Sequence, residues 1–182
     1  MKVRVGISNR HIHLSKEDAD ILFGKNYQFT KKNDLTQKGE YACEETVIIS
    51  TEKYAFPHVR VIGPLREYTQ VEVSLDDSIL LGINPPIRDS GDLIDSESVW
   101  ITGPQGKIYK KNCCIRATRH IHCNKLDNIA HNNKEIITIY KEDGTIIDNV
   151  HIKMKDSFVL ELHIDRTDAN TFNLQNGDYL NL

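Results

Sequence analysis

Two copies of one tetrapeptide, Arg10-His11-Ile12-His13 and Arg119-His120-Ile121-His122, hold four of the eight histidines in this 182-residue chain. In an extended segment, side chains two apart point to the same face, so each copy presents a pair of imidazoles side by side. Neutral imidazole is the commonest side-chain ligand for divalent transition metals. One His-x-His alone is more often a pair of surface or core histidines. Two copies behind the same arginine argue instead for chemistry organised around bound metal.

The elements that must position these pairs are short strands. Alternation with period two runs through Val3–Ile7, Thr46–Ile49, His58–Ile62, Gln70–Val73, Ser98–Ile101, Glu135–Tyr140, Val150–Met154 and Phe158–Ile164. Turn signals such as Gly103-Pro104-Gln105-Gly106, Asp143-Gly144 and Asn176-Gly177-Asp178 punctuate them. This predicts a mainly β fold of the barrel or sandwich kind. Helical pattern is brief. Ser15 reads as an N-cap and Gly24 as the stop of one helix, Asn124 opens a second after the other His pair, and residues 75–81 form a third.

The chain also reads as duplicated. A slide of 89 residues lays Val47-Ile48-Ile49 on Ile136-Ile137-Thr138, Val61 on Val150, and Val71-Glu72-Val73 on Leu160-Glu161-Leu162. The two His-x-His copies are 109 residues apart, so about twenty extra residues fall between about 24 and 44 of the first half. That polar stretch reads as an inserted loop or hairpin.

If the halves are related, matching positions should build one composite site. The first half offers His11, His13 and Glu72; the second offers His120, His122 and either Glu161 or His163, which share a strand face. These are enough ligands for two Zn²⁺ ions with open, hence catalytic, coordination positions. Arg66, in a Gly63-Pro64-Leu65-Arg66 turn before Glu72, is a candidate to grip phosphate in a bidentate way, although a surface ion pair serves its spacing equally well. Arg10 and Arg119 face away from the His pairs. Arg88 sits in a Pro-rich polar loop with no role assigned. His58, His131 and His151 have no ligand-like context. The four cysteines contain no Cys-x-x-Cys and read as reduced thiols, with Cys123 a small buried residue rather than an extra ligand.

Composition narrows the classes. A net charge of −3 gives no broad case for binding nucleic acid or an anionic membrane. No apolar run is long enough to span a bilayer, and the first His pair starts too early to leave room for a targeting extension, so a cytoplasmic protein is expected. Walker, Rossmann, Gly-x-Ser-x-Gly and His-Glu-x-x-His motifs are missing.

Taken in order, Ser8-Asn9-Arg10-His11-Ile12-His13-Leu14-Ser15, Gly63-Pro64-Leu65-Arg66 running into Thr69–Ser74, Arg88-Asp89-Ser90-Gly91-Asp92, Arg119-His120-Ile121-His122 and Glu161-Leu162-His163-Ile164-Asp165 carry a resemblance. The chain resembles, from end to end, the PduL-type phosphate acyltransferases (phosphate propanoyltransferases). The resemblance implies a two-barrel zinc enzyme that interconverts acyl-CoA plus phosphate with acyl-phosphate plus CoA, acyl being propanoyl or acetyl. It places the metal ligands on His11, His13, Glu72, His120, His122 and His163, the phosphate-site arginine on Arg66, and two Zn²⁺ in each chain. It also implies exchanged segments: residues 1–9 with 118–182 in one barrel, and 10–117 with its insertion in the other. Family members packaged in bacterial microcompartments carry an N-terminal encapsulation helix, and no such extension supports shell association here. The oligomeric state is left open, a homodimer included. Two rivals remain, a zinc-dependent ester or thioester hydrolase and a non-catalytic metal-binding β-barrel module.

Overall fold

The computed structural model describes residues 1–127 and 135–182. The Asn-rich segment that carries His131 lies outside the described residues. In chain order the first half runs β1 (Lys2–Ser8), β2 (His11–His13), α1 (Lys16–Phe23), β3 (Lys31–Asp34), β4 (Tyr41–Ser50), β5 (Ala55–Gly63), β6 (Gln70–Glu72) and α2 (Leu75–Leu81). It continues with β7 (Ile87–Arg88), β8 (Glu97–Thr102), β9 (Lys107–Ala117), β10 (His120–Cys123), β11 (Ile136–Tyr140), β12 (Ile146–Met154), β13 (Glu161–Asp165), α3 (Arg166–Thr171) and β14 (Tyr179–Asn181).

These elements form two compact units. The first comprises Met1–Asn9, Thr36–Lys38 and Thr118–Leu182; the second comprises Arg10–Leu35 and Gly39–Ala117. In the second unit β4 pairs β5, β5 pairs β2, β2 pairs β6, β6 pairs β9, β9 pairs β8, and β8 returns to β4. Six strands thus close into a barrel, which leaves no open edge within the ring. Strands β3 and β7 attach outside the ring, to β4 and β9. The polar insertion is therefore a hairpin built on β4. Inside lie Ile12, Ile49, Val61, Val71, Val99 and Ile101, all buried.

The first unit repeats the succession as β11, β12, β10, β13, β1 and β14. Its pairings match those of the barrel one for one: antiparallel, parallel, antiparallel, parallel, antiparallel. Among the described residues β14 and β11 do not pair, so this sheet is curled but open. Its core gathers Val3, Val5, Ile121, Ile139, Leu162 and Ile164.

The duplication is real, but its register differs from the 89-residue slide. His11 pairs with Glu72 across β2 and β6, and His120 pairs with His163 across β10 and β13. Glu72 therefore corresponds to His163 and not to Glu161, a shift of two residues. A slip of two keeps every side chain on its face, so alternation alone does not reveal it.

The strand before each His pair crosses over. β1 lies in the first unit while β2 lies in the second; β9 lies in the second while β10 lies in the first. The helices follow from local chemistry. Ser15 caps α1 through Asp18 N, and its chain leaves at Gly24. Ser74 and Asp77 form a capping box on α2, and Gly82 ends it at φ 68°, a left-handed conformation that glycine adopts at little cost. Asp165 caps α3. A 3₁₀ turn at Lys125–Asp127 occupies the place where a helix was expected after Asn124. No described helix is long and apolar enough to cross a membrane.

Candidate functional site

Each His pair is set by the residue between its histidines. Ile12 and Ile121 are fully buried in their units' cores. Full burial of such a side chain contributes about 2–3 kcal/mol, which fixes the strand's face and so turns both neighbours to the other side. The rings of His11 and His13 stand 5.1 Å apart, and those of His120 and His122 stand 4.6 Å apart.

A third residue joins each pair from the antiparallel neighbour. In the second unit His11, His13 and Glu72 bring ligand atoms within 4.8 Å of one another; in the first unit His120, His122 and His163 do the same. His11 Nε2 lies 3.5 Å from Glu72 Oε2. His163 lies 5.1 Å from His120 and 4.6 Å from His122, ring to ring.

The state of the rings suits metal. Burial, reinforced by the charges of His11 and Arg66, holds the His13 imidazole well below its ordinary pKa. Burial does the same for His120, helped by Lys153, and brings His122 to about 3. All three are neutral at physiological pH, and neutral imidazole offers a lone pair. His120 Nδ1 donates to the Thr118 carbonyl at 2.8 Å, which leaves Nε2 free. The Nδ1 atoms of His13 and His122 are buried without a hydrogen-bond partner. Buried polar atoms are rarely left so, and a metal held by these nitrogens would account for both. Three nitrogens, or two nitrogens and one carboxylate, is also the donor set of a catalytic zinc site with an open position.

Arg66 belongs to the second unit's site. Its backbone N–H donates to Leu14 O at 2.9 Å, just beyond His13. Its guanidinium donates to Ser90 Oγ and Glu40 Oε1, each at 3.0 Å. Gln70 Nε2 then donates to Ser90 Oγ at 2.8 Å and to Glu72 Oε1 at 2.6 Å. Arg66 is thus tied to the Glu72 carboxylate through two intermediates, with further N–H groups left to donate.

The arginines of the twin motif act elsewhere. Arg10 donates to Asp77 Oδ1 at 3.0 and 2.7 Å, and its guanidinium lies 4.1 Å from the Phe56 ring centre. Arg119 forms a two-pronged pair with Asp168, both contacts at 2.8 Å, beside Phe172. Asp77 and Asp168 each sit in the first turn of the helix that follows the ligand strand. Arg88 lies 3.4 Å from Asp92. His58 is exposed, and His151, beside His120 in register, belongs to neither triad. All four cysteines are free and buried, Cys123 included.

Sequence reasoning missed Gln70, Ser90, Glu40, Thr118 and Lys153. Gln70 was within reach, since it shares a face with Glu72 two residues on. Glu40 and Ser90 come from distant loops, and only the folded chain brings them to Arg66.

Comparison with known proteins shows the family. The profile of a family described as phosphate propanoyltransferase matches residues 4–175. The phosphate propanoyltransferase of Thermotoga maritima is 44% identical over 179 residues, covering 96% of this chain and 85% of its own. That of Priestia megaterium is 46% identical over 180 residues, covering 97% and 83%. That of Citrobacter freundii is 37% identical over 179 residues, covering 96% and 85%. The chain belongs to the phosphate propanoyltransferase family of acyltransferases.

Proposed function

We propose that this chain is a zinc-dependent phosphate acyltransferase that interconverts an acyl-CoA, propanoyl-CoA or acetyl-CoA, plus phosphate with acyl-phosphate plus CoA. His11, His13 and Glu72 would hold one Zn²⁺, and His120, His122 and His163 a second. The observation that carries the reading is the repeated triad, one His-x-His and one cross-strand ligand in each unit, with unpartnered His13 and His122 nitrogens. When bound, zinc supplies Lewis acidity toward an acyl carbonyl and charge compensation for an anionic co-substrate.

The chain's own groups do the positioning. Arg66, braced by Glu40 and Ser90, has N–H donors left for phosphate oxygens in the forked geometry that suits them. A phosphate oxygen so held attacks the thioester carbon, and the collapsing tetrahedral adduct expels the CoA thiolate. The site needs no protein nucleophile. Ser90 Oγ receives hydrogen bonds from Arg66 and Gln70, two donors that cannot take its proton. The cysteine thiols are buried, with Cys43 pushed up to about 11 and Cys113 to about 12. Holding two reactants in line is worth up to about 7–11 kcal/mol of barrier.

The test is release of thiol from propanoyl-CoA and acetyl-CoA, with and without phosphate, in the presence or absence of a chelator. Acyl-phosphate should form only with phosphate, and chelation should stop it. Glu72→Ala and His122→Ala should abolish turnover while the fold survives. Release of free acid at the same rate without phosphate would make the chain a hydrolase. Full activity in a folded Glu72→Ala protein would remove the site.

A further inference from the structure

Glu161 is 2% exposed, yet it is a carboxylate two residues before His163 and on the same face of β13. Burying a charge is costly unless the surroundings repay it. The first unit is built to do so. Glu161 accepts from Thr36 Oγ at 3.0 Å and is within 2.7 Å of His163 Nε2 through its other oxygen. Arg4, its direct register partner on β1, donates to it as well.

The strand opposite is shaped for the same carboxylate. Gly6 lies across from His163 in register, and a Cβ there would meet Glu161 Cδ at 2.8 Å and both carboxylate oxygens at 3.1 Å. Only glycine leaves that space. An absent side chain, a guanidinium and a hydroxyl therefore converge on one buried group that is not itself part of the triad.

The second unit shows what this group does. Gln70 stands opposite His13 as Glu161 stands opposite His122, each two residues before the third ligand. Gln70 donates to Glu72, whereas Glu161 accepts from His163. The partner is matched to the ligand: an amide donor for a carboxylate, a carboxylate acceptor for an imidazole. With Nε2 committed to Glu161, the ring nitrogen of His163 left for ligation is Nδ1.

We propose that Glu161 is a positioning residue that fixes His163 as an Nδ1 metal ligand and makes it a stronger donor, and that Gly6 is present to admit its carboxylate. This rests on the proposal that the His120, His122 and His163 triad holds zinc. Groups of this kind orient the ring, set its tautomer and raise its basicity, and their loss weakens metal binding by roughly 10–100-fold.

The full-length chain tests it through metal binding rather than turnover. Zinc stoichiometry and affinity are measured by chelator competition, the Co²⁺-loaded visible spectrum is recorded, and His163 ring nitrogens are assigned by ¹⁵N NMR of the zinc form. The wild type should bind two ions, with His163 protonated on Nε2. Glu161→Gln should weaken one of the two sites by roughly 10–100-fold and shift part of the cobalt spectrum. Gly6→Ala, which removes no polar group, should reproduce that loss by displacing the carboxylate. A purely structural role would lower the melting temperature of both metal-free variants and leave affinities and spectra unchanged, which would overturn the proposal. So would ligation of His163 through Nε2. A wild-type chain that binds no zinc would instead overturn the metal reading beneath it.

Discussion

At the scale of single residues, the division of labour among like side chains decides what the protein can do. Of the histidines described, five stand in triads, and the two in no triad sit on the same kind of strand. The difference is context: a buried isoleucine between two histidines and a polar group across the sheet. The His-x-His pairs and Glu72 were legible because period two makes a shared face visible in sequence. The choice between Glu161 and His163 was not, because both lie on that face and only pairing tells which one meets His120. Cysteines give the opposite lesson, a reactive residue type made inert by place. Burial raises the Cys113 thiol to about 12 and the Cys43 thiol to about 11. Both stay protonated in the folded chain at pH 8, and the thiol is a poor nucleophile. A thiol reagent at pH 8 should leave them unlabelled until denaturant is added. The sign of the linked effect on stability also follows. The unfolded chain loses these protons near pH 8.5–9 and the folded chain keeps them. Stability should therefore fall as pH rises from about 9 toward 12, as read by urea midpoints across that range.

At the scale of elements, ligand strands are anchored by the helices that follow them. Ser74 and Asp77 satisfy free backbone groups at the start of α2, and Asp77 also receives Arg10 from the end of the chain segment that enters β2. Asp168 does the same for Arg119 in the first unit. One aspartate thus joins a helix start to a His pair. Ser74→Ala should cost about 1 kcal/mol as a lost cap. Asp77→Ala loses the cap and the arginine together, although Arg10 is 37% exposed and solvent screens part of that pairing. It should cost about 2 kcal/mol by urea denaturation, and Asp168→Ala, which loses Arg119 but no cap, about 1 kcal/mol. Caps at Ser15 and Gly24 were readable from residue type, as were residues 75–81, because start and stop chemistry is local. Strand β9 was overlooked because its first half, Lys107–Lys111, is polar on the outside of the barrel, and β14 because it is only three residues long.

At the scale of the whole molecule, one chain builds two units with the same pairing order but not from contiguous halves. Alternation says that a segment is a strand, not which sheet it joins, so the exchange of β1 and β9 was implied by resemblance and not by spacing. It has an unequal effect on fragments. Residues 10–117 contain every strand of the closed barrel, whereas 118–182 lack β1, which pairs on one side with β13 and on the other with β14. The fragment 10–117 should therefore give a dispersed NMR spectrum on its own, and 118–182 should be unfolded until residues 1–9 are supplied as a peptide. The same exchange bears on how the two triads respond to each other. Gly6, opposite His163, is five residues from His11 along the chain, and Ile115, opposite Glu72, is five residues from His120. Each ligand strand is thus the direct continuation of a strand held against the other triad's third ligand. Ordering one triad by a bound ion would restrict the backbone that leads into its counterpart and leave less conformational entropy to lose there. If both triads hold zinc as proposed, the first ion bound should raise the affinity for the second, by the same factor whichever triad fills first, and stepwise chelator competition would read it.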